Sequence, residues 1–130
     1  MVARQQGLNT RAFRDVTAAL RWMSGASAPS RRYRFTRIVI AGAPEDAGIY
    51  ALWDGEEVIY YGRAGGRNEG NGTTIRSRLM DHHLGRVDDQ TRRATHYSWE
   101  LHRDPAAREA ELLEEHVRTF GRPPRLNNAA

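Results

Sequence analysis

The chain reads as an α+β fold, a small antiparallel three-stranded sheet flanked by helices. Three observations predict it. Gly48–Trp53 and Val58–Tyr61 are apolar runs joined through Asp54-Gly55, the pattern of a hairpin. His96–His102 alternates, with Tyr97, Trp99 and Leu101 on one face and His96, Ser98, Glu100 and His102 on the other, as a half-buried strand does. The segment after Asp104 carries apolar residues at helical spacing between a start signal and a stop signal.

The elements follow in order. Residues 1–9 show no periodicity. From Thr10 to Met23, the residues Phe13, Val16, Leu20 and Met23 make one helical stripe, with Arg11, Arg14 and Arg21 on its flank. Ser24–Ser30, with Gly25 and Pro29, has the composition of a linker. Arg31, Arg32, Arg34 and Arg37 interleave with Tyr33 and Phe35, and Phe35–Ile40 predicts a first strand. Residues 1–40 thus form a basic helical arm with a first strand, and residues 41–130 form the body. Gly42–Ala47 is a turn, the hairpin follows, and Gly62–Gly72 is a polar, glycine-rich loop. Thr73 or Thr74 caps a helix running through Ile75, Leu79 and His82/His83. The charged residues 85–94 predict an exposed loop before the strand at His96. In the last helix Asp104 is the cap, Pro105 the first helical residue and Gly121 the stop, with Pro123-Pro124 beyond.

Composition narrows the function. The 130 residues contain no cysteine, which excludes a disulfide scaffold, a thiol nucleophile and a cysteine zinc site. All 20 basic residues are arginine, so no Schiff-base or phosphate-loop lysine exists. No apolar run approaches the roughly 20 residues that cross a bilayer, and the N-terminus lacks a secretory apolar block; a soluble, cytoplasmic protein is expected. Residues 1–40 hold eight arginines against one acid, Asp15, whereas residues 41–130 hold twelve against fifteen acids. A basic arm on a slightly acidic body suggests an anionic partner, nucleic acid before membrane. The bland alternative is a solvated basic surface.

The glycine-rich loop is not a nucleotide fingerprint. A phosphate loop ends in Gly-Lys-Ser/Thr, and the dinucleotide pattern starting at Gly70 and Gly72 meets Ile75 where it needs glycine.

Glu109 is the unusual residue of the last helix. At about 100° per residue, Leu112, Leu113, His116, Val117 and Phe120 fall within roughly 140° of arc, beside Ala106 and Ala110. Glu111, Glu114 and Glu115 lie off that arc, but Glu109 lies inside it. A buried carboxylate requires pairing, hydrogen bonds or a metal. A salt bridge to an arginine, or the favour of the helix dipole for a first-turn acid, satisfies it as well as a catalytic role does.

Taken together, these residues resemble the GIY-YIG endonuclease family. Gly48-Ile49-Tyr50 matches the first signature and Tyr60-Tyr61-Gly62 is a variant of the second, followed by a basic residue, Arg63. Arg78 and His82 match an arginine and a histidine of the helix after the hairpin. Glu109, with Leu112 and Leu113, matches a metal-binding glutamate, although the helix continues further beyond it than is usual. Pro124-Arg125-Leu126-Asn127 matches the closing Pro-x-x-Asn. The resemblance spans residues 47–127.

It implies a nuclease fold and hydrolysis of DNA, with double-stranded DNA as the expected partner and Mg²⁺ or Mn²⁺ on Glu109. Tyr50 would be the general base or its relay, with Tyr60 beside it. Arg63 and Arg78 would hold the scissile phosphate, and His82 would support proton transfer. Gly48, Gly62 and Asn127 would be structural. The arginines Arg11, Arg14, Arg31, Arg32 and Arg34 would add nucleic-acid affinity. A non-catalytic nucleic-acid-binding module of the same fold is the alternative. An arginine-rich partner of an acidic protein is a second, and RNA a third as substrate.

Overall fold

The fold is that of a computed structural model, which describes residues 31–65 and 72–127. The expected helix at 10–23, with Arg11 and Arg14, and the expected linker lie outside the described residues. Arg32–Ala130 is one compact unit.

The sheet has four strands rather than three: β1 (Tyr33–Arg34), β2 (Gly48–Asp54), β3 (Glu57–Ala64) and β4 (His96–Leu101). All pairs are antiparallel, in the order β1-β4-β2-β3. The extra strand corrects a second expectation. Phe35–Ile40 is not a strand; β1 comes just before it, and Arg37–Ile40 is a one-turn helix, α1. Thr36 explains the switch, because its hydroxyl accepts from the Val39 amide at 3.3 Å and caps the turn. Helical spacing then buries Ile40 and leaves Ile38 in solvent.

β2 is buried on both faces, which is why its sequence is almost continuously apolar. Tyr50 and Leu52 point to the layer of α1 and α2 (Ile75–His83), where Phe35, Ile40, Ile75, Leu79 and Tyr97 complete the larger core. Ile49 and Ala51 point to the other layer, α3 (Pro105–Phe120), and pack with Tyr61 and Leu112.

The hairpin tightens around Gly55 and Glu56, since Asp54 and Glu57 already pair. Gly55 takes φ 63°, the left-handed conformation such turns require. The return strand is longer than the apolar run and carries Gly62 inside it. Between Leu52 and Trp53 the register shifts: Leu52 faces Tyr60, Trp53 faces Val58, and Ile59 is the extra residue. This bulge sends both Ile59 and Tyr60 to the α2 layer, and Val58 and Tyr61 to the α3 layer.

α2 begins on a capping box, with Thr74 accepting from the Ser77 amide at 3.1 Å and Ser77 accepting from the Thr74 amide at 2.9 Å. The segment 85–94 is not wholly exposed. It contains a 3-10 turn, Thr91–Arg93, whose Thr91 is completely buried. Nor is β4 half-buried in the simple sense: Ser98, on its polar face, is fully buried and accepts from the Trp53 indole at 2.9 Å.

α3 starts and stops as its signals predict, with Asp104 as cap and Gly121 at φ 82°. Its buried face differs from the apolar arc. Pro105, Arg108 and Leu112 are buried, whereas Val117, Phe120, Ala106 and Ala110 are exposed. The reason is an ion pair: Arg108 donates to Glu100 on β4 at 2.7 Å and to Glu111 at 3.0 Å, so the helix rests on its first half.

The tail closes the outer edge of the sheet. The Leu126 amide donates to the Ile59 carbonyl at 2.9 Å. Asn127 accepts from the Tyr61 amide at 2.7 Å and donates to the Tyr61 carbonyl at 3.0 Å, imitating a further strand.

Candidate active site

The site forms where β2, β3, α2 and the 3-10 turn meet. Tyr50 is 1% exposed and its ring lies across β3. Gly62 makes that possible, because a Cβ there would overlap the Tyr50 ring and hydroxyl. Gly48 has a parallel role, since a Cβ at that position would overlap the Glu100 carbonyl of β4. Both signature glycines therefore have steric reasons to be glycine.

Around the Tyr50 phenol three side chains gather. His82 Nε2 stands 2.8 Å from its oxygen. The Tyr60 ring centroid lies 6.3 Å from that of Tyr50 and 5.1 Å from that of His82. Arg78, one turn before His82 on α2, acts on the phenol through its charge, which favours the ionised form. Arg78 also pairs with Asp81 at 3.4 Å. Arg76 turns the other way, to the Ala43 carbonyl at 2.8 Å and Glu45 at 2.9 Å. His83 leaves the site too and sets its ring against Phe35.

Thr91 and Asp88 hold His82 from behind. Its Nδ1 lies 2.9 Å from the Thr91 hydroxyl, and that hydroxyl donates to Asp88 Oδ1 at 3.1 Å. Asp88 Oδ1 also accepts from the amides of Gln90 at 2.8 Å and Thr91 at 2.7 Å. Sequence reasoning passed over Asp88 and Thr91 as loop charge and loop polarity. The signal was there in Asp88-x-x-Thr91, the spacing of a side chain that caps a turn.

Glu109 lies on α3, in the other layer, with a side chain 19% exposed. It pairs with Arg63, whose Nη1 is 3.0 Å from Glu109 Oε1 and whose side chain is half-exposed. The simple salt-bridge alternative is thus realised geometrically. Even so, Glu109 acts through space on both Tyr50 and Tyr60 and disfavours their ionisation. Tyr61, next to Tyr60, belongs to the α3 layer, and burial pushes its phenol up to about 12, with Glu115 and Glu100 adding to that and Arg108 opposing.

Protonation follows from burial. Burial raises the Tyr50 phenol well above the usual tyrosine range; Tyr60 and Glu109 add to this and Arg78 opposes it. Burial raises Tyr60 as well. Burial lowers His82 to about 4, helped by Arg78 and opposed by Asp88 and Asp81. At neutral pH Tyr50 keeps its proton and His82 is uncharged. A neighbour within hydrogen-bond distance of the Tyr50 oxygen is His82 Nε2, at 2.8 Å.

Among the described residues no three acidic or histidine side chains cluster to cage an ion. A single carboxylate such as Glu109 suits Mg²⁺, which keeps several waters and takes oxygens from phosphate.

The basic residues described outside the site divide. Arg32 is tied to the hairpin, donating to the Gly55 carbonyl at 3.0 Å, pairing with Glu56 at 3.3 Å and lying 4.6 Å over the Trp53 ring. Arg31 and Arg34 are exposed. Tyr97 and Trp99 are core-packing residues: Tyr97 is 1% exposed and stacks on Tyr33, as does Trp99. No helix among the described residues is long and apolar enough to cross a membrane. A scan against protein-family models, a search of characterised proteins and a search of solved structures find nothing that matches this chain.

Proposed function

We propose that this chain is a metal-dependent endonuclease of the GIY-YIG type, hydrolysing phosphodiester bonds of DNA. The observation that carries the reading is the meeting of Tyr60, His82 and Arg78 around Tyr50, whose ring lies over Gly62, with the Glu109 carboxylate acting on both phenols from the opposite layer.

Hydrolysis of a phosphodiester needs a water relieved of its proton, charge neutralisation on the phosphate and a stabilised leaving oxygen. In this reading Tyr50 takes the proton of the attacking water as its own moves to His82 Nε2. Tyr60 stands beside Tyr50 and orients the water. Arg78 holds a phosphate oxygen, and half-exposed Arg63 reaches a second when it leaves Glu109. Glu109 would hold one Mg²⁺ or Mn²⁺, which neutralises charge on the phosphate and the leaving oxygen when bound. The basic residues 1–40 add sequence-independent affinity for duplex DNA.

The test is cleavage. The purified chain with Mg²⁺ or Mn²⁺ should nick and linearise plasmid DNA and leave 5′-phosphate and 3′-hydroxyl ends. Glu109→Ala should lower the rate by about 100-fold or more while the protein stays folded. DNA left intact by both proteins, yet bound by both, would reduce the chain to a nucleic-acid-binding module.

A further inference from the structure

We propose that Thr91 and Asp88 are positioning residues that fix the tautomer of His82, so that a bare Nε2 faces the Tyr50 hydroxyl. As a statement about catalysis this rests on the reading of Tyr50 given above; as a statement about proton placement it does not.

The protons available around His82 permit one arrangement. The Thr91 hydroxyl has one, and two neighbours compete for it: His82 Nδ1 at 2.9 Å and Asp88 Oδ1 at 3.1 Å. Asp88 is a carboxylate at neutral pH, held below its usual range chiefly by the hydrogen bond from the Thr91 amide. A carboxylate only accepts. If Thr91 gave its proton to His82, two lone-pair-bearing oxygens would face each other across the 3.1 Å contact. The consistent arrangement has Thr91 donating to Asp88 and accepting from His82 Nδ1–H. A neutral imidazole has one N–H, so Nε2 is bare and receives the Tyr50 O–H at 2.8 Å. His82 and Thr91 are both wholly buried, so bulk water does not compete for these sites.

The direction of the chain matters for the reaction. The O–H bond of the attacking water breaks, its proton goes to the Tyr50 oxygen, and the original Tyr50 proton forms a bond to His82 Nε2. The hydroxide oxygen bonds to phosphorus as the bond to the leaving oxygen breaks. The proton held on His82 then returns through Tyr50 to that oxygen or to solvent. With the opposite tautomer Nε2 already carries a proton, and the relay has nowhere to go. The Asp88 charge, one hydroxyl away, favours the imidazolium formed midway.

Nitrogen-15 spectra of the full chain labelled at histidine read which ring nitrogen carries the proton, and His82→Gln assigns the signal. The wild type should show His82 protonated at Nδ1. Folded Thr91→Val should lose that preference, and its kcat on plasmid DNA with Mg²⁺ should fall roughly 10–100-fold at unchanged KM. Thr91→Ser, which restores the hydroxyl, should restore both. Should Thr91→Val not fold, Asp88→Ala serves: it frees the Thr91 proton and should move His82 toward Nε2–H, whereas Asp88→Asn keeps an accepting oxygen and should not. A wild type protonated at Nε2, or a folded Thr91→Val or Asp88→Ala that stays pure Nδ1–H, would overturn the proposal. An Nδ1–H wild type that fails to cut DNA would instead overturn the nuclease reading and leave the tautomer lock in place.

Discussion

His82 concentrates the chemistry at the scale of single residues. Both ring nitrogens are engaged and the side chain is completely buried. Its pKa is lowered to about 4, with burial the largest cause. The unfolded chain therefore binds this proton at pH values where the folded chain does not. The resulting stability is fully present above about pH 6.5 and is lost as the pH falls toward 4, amounting to about 3 kcal/mol if the whole shift is expressed. Urea unfolding between pH 7 and pH 5 should show falling stability in the wild type and a much flatter trend in His82→Gln. An equal slope in both would assign the effect to other histidines. The histidine and its partner Tyr50 could be named from the sequence, through motif spacing. Thr91 and Asp88 could not be placed behind them, because contact between positions 82 and 91 depends on a loop folding back.

At the scale of elements, the crossing of β2 and β3 sets the site. The Tyr50 ring occupies the space above Gly62, and the bulge at Ile59 turns Tyr60 toward α2. Gly62→Ala should therefore cost about 1–3 kcal/mol, the range of overpacking, and should displace the Tyr50 hydroxyl from His82. Thermal unfolding measures the first effect. A Tyr50→Leu, Gly62→Ala double variant should be less destabilised than the two single changes added together, because removing the ring relieves the overlap. Strict additivity would mean that the ring and the new methyl do not compete. The hairpin, the capped helix α2 and the bounds of α3 were legible because each rests on local signals: Asp54-Gly55, a threonine at 73 or 74, Asp104-Pro105 and Gly121. The strand expected at 35–40 was misread because a run of β-branched residues outweighed the cap offered by Thr36. The face of α3 was misread because periodicity counts apolar residues, while Arg108 is drawn inward by Glu100, a residue on another element.

At the scale of the whole molecule, charge is divided between the segment before Arg32 and the compact unit that begins there. A chain lacking residues 1–31 loses the arginines at 4, 11, 14, 21 and 31. It should keep its fold yet bind DNA more weakly, with a shallower dependence of log K on log salt, by about 0.9 for each phosphate contact removed. Filter or fluorescence binding between low and moderate salt measures this, and an unchanged slope would remove the arm from the interface. The sequence alone determined the class of fold, the arginine-only basic character and the residue types at the site, because composition and local periodicity are properties of neighbours along the chain. Only the tertiary structure decided that Glu109 rests against Arg63, and that a buried threonine and an aspartate stand behind the histidine. Those outcomes follow from register, a single bulge and the angle of a helix, which are settled by packing between segments distant in sequence.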